Sequence, residues 1–129
     1  MIRSLILALP LVIFAASAAD INCAKAITQT DMNMCADKEY QAADKKLNDI
    51  YRQLTAALDD AQLQAKLKVA QRAWIQYRDT ECTFEVVENE GGSIYPMEYS
   101  GCTTRLTNAR TKELQSYLAC FKDAEKCGG

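Results

Sequence analysis

Apolar residues recur along this chain in steps of three and four. Between Leu63 and Tyr77 they fall at Leu63, Leu67, Ala70, Trp74 and Tyr77, one stripe down one face of an α-helix. Lys66, Lys68, Arg72, Gln76 and Asp79 take the opposite face. Upstream, Tyr40, Ala43, Leu47, Ile50 or Tyr51, Leu54 and Leu58 keep the same spacing, with no proline or glycine from Asp31 to Leu58. That predicts a helix of about 40 Å, capped by Thr28 or Thr30. Asp59-Asp60 interrupts the pattern, because aspartate is poor inside a helix and good at its N-cap. A short turn there makes the two helices an antiparallel hairpin. Leu106, Ala109, Leu114, Tyr117, Leu118 and Phe121 predict the inner side of a third helix from about Cys102.

The expected fold is therefore all-α, a disulfide-stapled antiparallel helical hairpin with a third helix laid on it, forming a small bundle. Trp74, the single tryptophan, is expected in its core, where such a side chain buries ~150–250 Å². The heptad-like spacing also suits a coiled-coil dimer. About three heptads per helix is short for one, so packing within the chain is the expectation.

The one break in composition is Glu88 to Gly101, which holds three of the five glycines and one of the two prolines. Gly91-Gly92 frees the backbone for left-handed turns, and Pro96 stiffens the exit. This stretch reads as a loop between the second and third helices.

Residues 1–19 read as a secretory signal. Arg3 supplies the positive start, Leu5 to Phe14 the apolar run, and Ala16-Ser17-Ala18 or Ser17-Ala18-Ala19 the small-residue cleavage site. Asp20-Ile21-Asn22 before Cys23 is the wrong chemistry for a lipid-modified cysteine, so no membrane anchor is expected. Residues 20–129 then form one domain in a periplasmic or secreted setting. Without Arg3 this domain carries 14 basic and 17 acidic side chains, a net charge of −3. A mildly acidic surface argues against nucleic acid.

All six cysteines, Cys23, Cys35, Cys82, Cys102, Cys120 and Cys127, follow the signal. An even count in that context reads as three disulfides. Of the 15 possible connectivities, the sequential pairing Cys23–Cys35, Cys82–Cys102 and Cys120–Cys127 closes the shortest loops. A metal site is disfavoured, since there is no histidine and no Cys-x-x-Cys pair; no cofactor is expected either.

Without histidine, the usual general base is missing, and paired cysteines leave no thiol nucleophile. Gly91-Gly92-Ser93 lacks the Gly-x-Ser-x-Gly frame of a nucleophile elbow. Glu85, Glu88, Glu90 and Glu98 match neither an EF-hand loop nor a domain with room for a saccharide cleft. The expectation is a protein that is not an enzyme.

Several segments taken in order resemble the LprI-like lysozyme-inhibitor family. They are Cys23; Met32-Asn33-Met34-Cys35; Tyr40; Ala43-Asp44; Leu47-Asn48; Tyr51; Leu67; Ala70 to Trp74; Tyr77-Arg78-Asp79; Cys82; Gly91-Gly92-Ser93; Cys102; and Arg110 to Leu114. Cys120 and Cys127 lie beyond the resemblance. It implies an all-helical secreted domain and, for some members, inhibition of lysozyme. The expected partner is accordingly a lysozyme-type or other cell-wall hydrolase. An immunity or envelope-interaction protein with a different protein partner is the alternative. The surface expected to meet the partner is the loop residues Glu88, Glu90, Gly91, Gly92, Ser93, Ile94 and Tyr95, with the glutamates facing a basic surface and Tyr95 as aromatic anchor.

Overall fold

A computed structural model describes residues 21–126; the signal segment and Cys127 lie outside the described residues. Three long helices dominate: α1, Gln29–Ala57; α2, Ala61–Glu85; and α3, Tyr95–Lys122. Single 3-10 turns at Cys23–Lys25, Val87–Asn89 and Ala124–Lys126 precede, link and follow them. The all-α, disulfide-stapled bundle is the expected one.

Local chemistry sets the helix ends. The Thr28 side chain accepts a hydrogen bond from the Asp31 amide at 3.1 Å, opening α1. Asp60 does the same for the Gln62 amide at 2.7 Å, opening α2. At the turn between them, the Gln64 amide group donates to the carbonyls of Thr55 (3.2 Å) and Leu58 (2.6 Å). Carbonyls that the end of α1 leaves without helical partners are thereby satisfied.

α1 and α3 run parallel and form the most extensive contact in the molecule. At one end Asn33 donates to the Ser93 carbonyl at 2.9 Å; at the other, Ile50 shares a groove with Leu118 and Ala119. α2 runs antiparallel to α3, with Gln71 bonded to Arg110 and Cys82 bridged to Cys102. Leu47, Leu54, Leu114 and Leu118 form the buried core, flanked by Ile50, Tyr51, Ala57, Leu67 and Trp74.

Three expectations need correction. First, α3 begins at Tyr95, not near Cys102, with Pro96 in its first turn. A fixed φ and a missing N–H suit that position, where the amide has no helical partner anyway. Second, the buried face of α2 is turned from the expected one. Gln71, Arg78 and Cys82 are buried, Leu67 and Trp74 half-buried, whereas Leu63, Ala70 and Tyr77 are exposed. Third, the inner stripe of α3 is Ser100, Thr103, Thr107, Thr111, Leu114 and Leu118, while Ala109, Tyr117 and Phe121 face outward. Thr103 and Thr111 donate back to the carbonyls of Tyr99 (3.0 Å) and Thr107 (2.8 Å). With hydroxyls satisfied inside their own helix, small threonines can line a tight helix–helix contact.

Two bridges are Cys23–Cys35, tying the N-terminal segment to α1, and Cys82–Cys102, stapling α2 to α3. Cys120 is also disulfide-bonded.

Candidate interaction surface

Where the three helices meet, Arg78 organises a polar and aromatic node. Its side chain is only 7% exposed, so its charge needs partners close by. Nε donates to Asp79 at 2.8 Å, Nη1 donates to Thr107 on α3 at 3.4 Å, and Asp44 on α1 lies 3.6 Å away. The guanidinium also sits 5.4 Å from the Tyr40 ring centre and 5.2 Å from that of Trp74, within cation–π range. Arg110 reaches the same indole from 6.0 Å, while donating to Gln71 at 3.2 Å and pairing with Glu113.

Burial pulls the Arg78 pKa down, but the Asp79 hydrogen bond, Tyr40 and Asp44 outweigh it, so the group is held firmly charged. Burial raises the Tyr40 phenol, with Arg78 opposing. Burial, helped by the negative charge of Asp79, raises that of Tyr99.

Sequence reasoning from apolar spacing missed this node, because its members are polar. A usable signal was Cys82: a bridged cysteine points inward, and counting back from it by four, four, three and four gives Arg78, Trp74, Gln71 and Leu67.

Above the node, between α2 and α3, lies the edge expected to meet a partner. Glu88 sits on the Val87–Asn89 turn, and Glu88, Glu90, Gly91, Gly92 and Ser93 are all exposed. Ile94 and Tyr95 are half-buried. Gly91 adopts φ +77°, a left-handed conformation that suits glycine. A Cβ on Gly92 would come within 3.1 Å of the Asn89 carbonyl oxygen, which accepts a hydrogen bond from the Gly92 amide at 2.9 Å.

Several ties hold this edge in place. Asn33 donates to the Ser93 carbonyl, Cys82–Cys102 bridges the helices that flank it, and Arg105 on α3 pairs with Glu85 at the end of α2. The Tyr95 and Tyr99 rings stack at 6.0 Å with 16° between planes. Tyr95 thus opens α3 and lies against its own helix, leaving the exposed edge to residues 88–93. A separate open groove of about 440 Å³ lies between the N-terminal segment, α1 and the first turns of α3, lined by the Cys23–Cys35 bridge, Met32, Met97, Glu39 and Glu98 among others. The arrangement offers a rigid, acidic, glycine-tipped rim. No group of three or more metal-ligating side chains occurs among the described residues.

Residues 21–114 match the family model described as Lysozyme inhibitor LprI. Among relatives, the chain is 45% identical over 109 residues to protein R02472 of Rhizobium meliloti (strain 1021), covering 75% of this chain and 78% of that one. It is 30% identical over 105 residues to protein YecT of Escherichia coli (strain K12), covering 68% of this chain and 65% of that one. A crystal structure of a DUF1311 family protein from Pseudomonas putida KT2440 superposes with a TM-score of 0.66 at 26% identity, covering 71% of this chain and 95% of that one. On the family match, which spans all three helices to Leu114, the chain belongs to the LprI lysozyme-inhibitor family.

Proposed function

We propose that this protein is a secreted or periplasmic inhibitor that binds and blocks a lysozyme-type cell-wall hydrolase, and catalyses no reaction itself. The family match over residues 21–114 carries the reading. Disulfides among the described residues fit an oxidising compartment, and a signal segment cut before Ala19 or Asp20 would deliver the chain there.

The proposed contact is the rim of Glu88, Glu90, Gly91, Gly92 and Ser93, with Ile94 and Tyr95 at its base. A rim fixed by a disulfide and a cross-helix hydrogen bond loses little entropy on binding. Glu88 and Glu90 complement a basic enzyme surface and raise the rate of encounter. The two glycines keep the tip slim enough to enter a sugar-binding cleft.

Two variants separate these contributions. Glu88→Gln with Glu90→Gln should slow association several-fold at low salt, and hardly at all once salt screens the charges. Tyr95→Ala should shorten the lifetime of the complex. Full potency in both, with the fold intact, would place the contact elsewhere.

A further inference from the structure

The bridges Cys23–Cys35 and Cys82–Cys102 differ in how far a thiol from solvent can reach them. Cys82 and Cys102 are 0% and 4% exposed, shut between α2 and α3. In the other bridge Cys35 is 8% exposed, but Cys23 sits in the open on the first 3-10 turn. The segment carrying Cys23 adds little hold of its own. None of residues 21–28 is buried, and Ile27 is 86% exposed. The hydrogen bonds of residues 22–26 stay within the segment. The Ala24 amide donates to the Asn22 side chain, the Lys25 amide to the Asn22 carbonyl, and the Ala26 amide to the Cys23 carbonyl. Burying no apolar side chain and making no hydrogen bond to the helices, residues 22–26 rely on the bridge to stay against α1.

The latched segment helps to enclose the groove of about 440 Å³. Cys23 and Ala26 are its share of the lining, and the other lining residues, Met32 and Met97 among them, belong to α1 and α3. Helix packing does not run through the latch. Thr28 caps α1 by accepting from the Asp31 amide at the helix end itself. The buried core of Leu47, Leu54, Leu114 and Leu118 lies farther along α1 and α3.

We propose that Cys23–Cys35 is a thiol-exchange site, opened by a dithiol before Cys82–Cys102, and that its opening unlatches residues 21–28 from the groove while the three helices stay packed. A thiolate of the dithiol attacks the exposed Cys23 Sγ, the bridge breaks, and Cys35 leaves as a thiolate that takes up a proton. The second thiol of the reductant then attacks its own sulfur in the mixed disulfide and releases Cys23 as a thiol. Two electrons and two protons pass from the dithiol to the cysteines, and the reductant ends as a disulfide. Once freed, the segment moves away, so Cys23 no longer stands ready to close the bridge again. The same attack on Cys82 or Cys102 needs α2 and α3 to part first. The proposal does not depend on the hydrolase reading.

Stepwise reduction of the oxidised protein with dithiothreitol tests it, with iodoacetamide labelling followed over time by peptide mass mapping. Cys23 and Cys35 should be labelled at least roughly tenfold faster than Cys82 and Cys102. Helix content by circular dichroism should be unchanged when only the first pair is labelled. The unlatching is read separately on a variant with Cys23→Ala and Cys35→Ala. Its Met32 and Met97, both half-buried in the intact chain, should be oxidised by dilute hydrogen peroxide several-fold faster than in wild type. Met34, already 44% exposed, should react equally in both and serves as the reference. Both bridges opening together, or Cys82–Cys102 opening first, would overturn the proposal. So would loss of helix on opening the first bridge, or Met32 and Met97 oxidising no faster in the variant.

Discussion

The Arg78 guanidinium lies 5.2 Å from the centre of the Trp74 ring, one helical turn away on the same buried face of α2. The charge and the largest apolar side chain of the helix share one site, and Tyr40 closes it from α1 at 5.4 Å. Arg78 is buried along its stem while its carboxylate partners stay partly in water, Asp44 at 38% and Asp79 at 46% side-chain exposure. Its removal would let those carboxylates rehydrate, so the loss is mainly packing and ring contact and not an orphaned buried charge.

Arg78→Ala should accordingly destabilise the protein by about 2–3 kcal/mol, the sum of lost stem packing and cation–π contact. Arg78→Met, which keeps the stem, should cost roughly half as much. Urea unfolding of both variants checks this. Equal losses would mean that the charge, and not the stem, holds the node.

Trp74→Ala should cost about 2–4 kcal/mol, below the range for a fully buried aromatic because Trp74 is half-buried. As the single tryptophan, it also reports on itself. Arg110→Ala should change its fluorescence without unfolding the chain, since Arg110 reaches the indole from 6.0 Å. Wild-type stability in Trp74→Ala would show that the ring is not part of the packing.

Removing the Cys82–Cys102 bridge, which spans 20 residues, with alanine at both positions should cost about 3 kcal/mol in the chain-entropy picture. The same variant should bind its partner more weakly than the stability loss alone explains, because the rim at 88–93 would be freed. Hydrogen exchange of the Gly91 to Ser93 amides is the direct readout. Unchanged protection there would mean that the Asn33–Ser93 hydrogen bond suffices.

Alkaline pH should loosen the node. Tyr40 and Tyr99 have phenols raised above 10.0 by burial, so the folded state favours their neutral form more than the unfolded chain does. The stability they contribute is complete below pH 10.0 and is lost as pH rises through their folded values. Tyrosinate absorbance compared between wild type and Tyr40→Phe or Tyr99→Phe should show that each substitution removes a phenol ionising above 10.0. Loss from the lower part of the titration instead would contradict the burial of these two.

Much of the fold was legible because its signals are local. Thr28 and Asp60 are capping residues next to periodic segments, and an uninterrupted stripe from Tyr40 to Leu58 leaves little but a long helix. The start of α3 was misread because Gly91, Gly92 and Pro96 together look like one loop, although proline is as much at home in a first helical turn. The face of α2 was misplaced for a different reason. Apolarity put Ala70 and Tyr77 inside, but burial follows whatever can be satisfied there, and Arg78 finds Asp79, Thr107, Asp44 and two aromatic rings. Tyr40, Asp44, Gln71, Trp74, Arg78, Asp79 and Arg110, which all belong to the segments that carry the family resemblance, converge on this node. Those segments therefore describe how the bundle is held together. Of the exposed rim, only Gly91-Gly92-Ser93 belongs to those segments, and Glu88 and Glu90 lie outside them.

Whether the protein blocks a lysozyme-type hydrolase is read from a titration of lytic activity. Oxidised protein is added in increasing amounts to hen-type lysozyme acting on peptidoglycan, with a reduced and alkylated sample alongside. The oxidised protein should abolish lysis with an equivalence point fixed by protein-to-enzyme ratio, and the reduced sample should be much weaker. Undiminished lysis at a large molar excess, together with no hydrolase retained by the oxidised protein from a periplasmic extract, would contradict it.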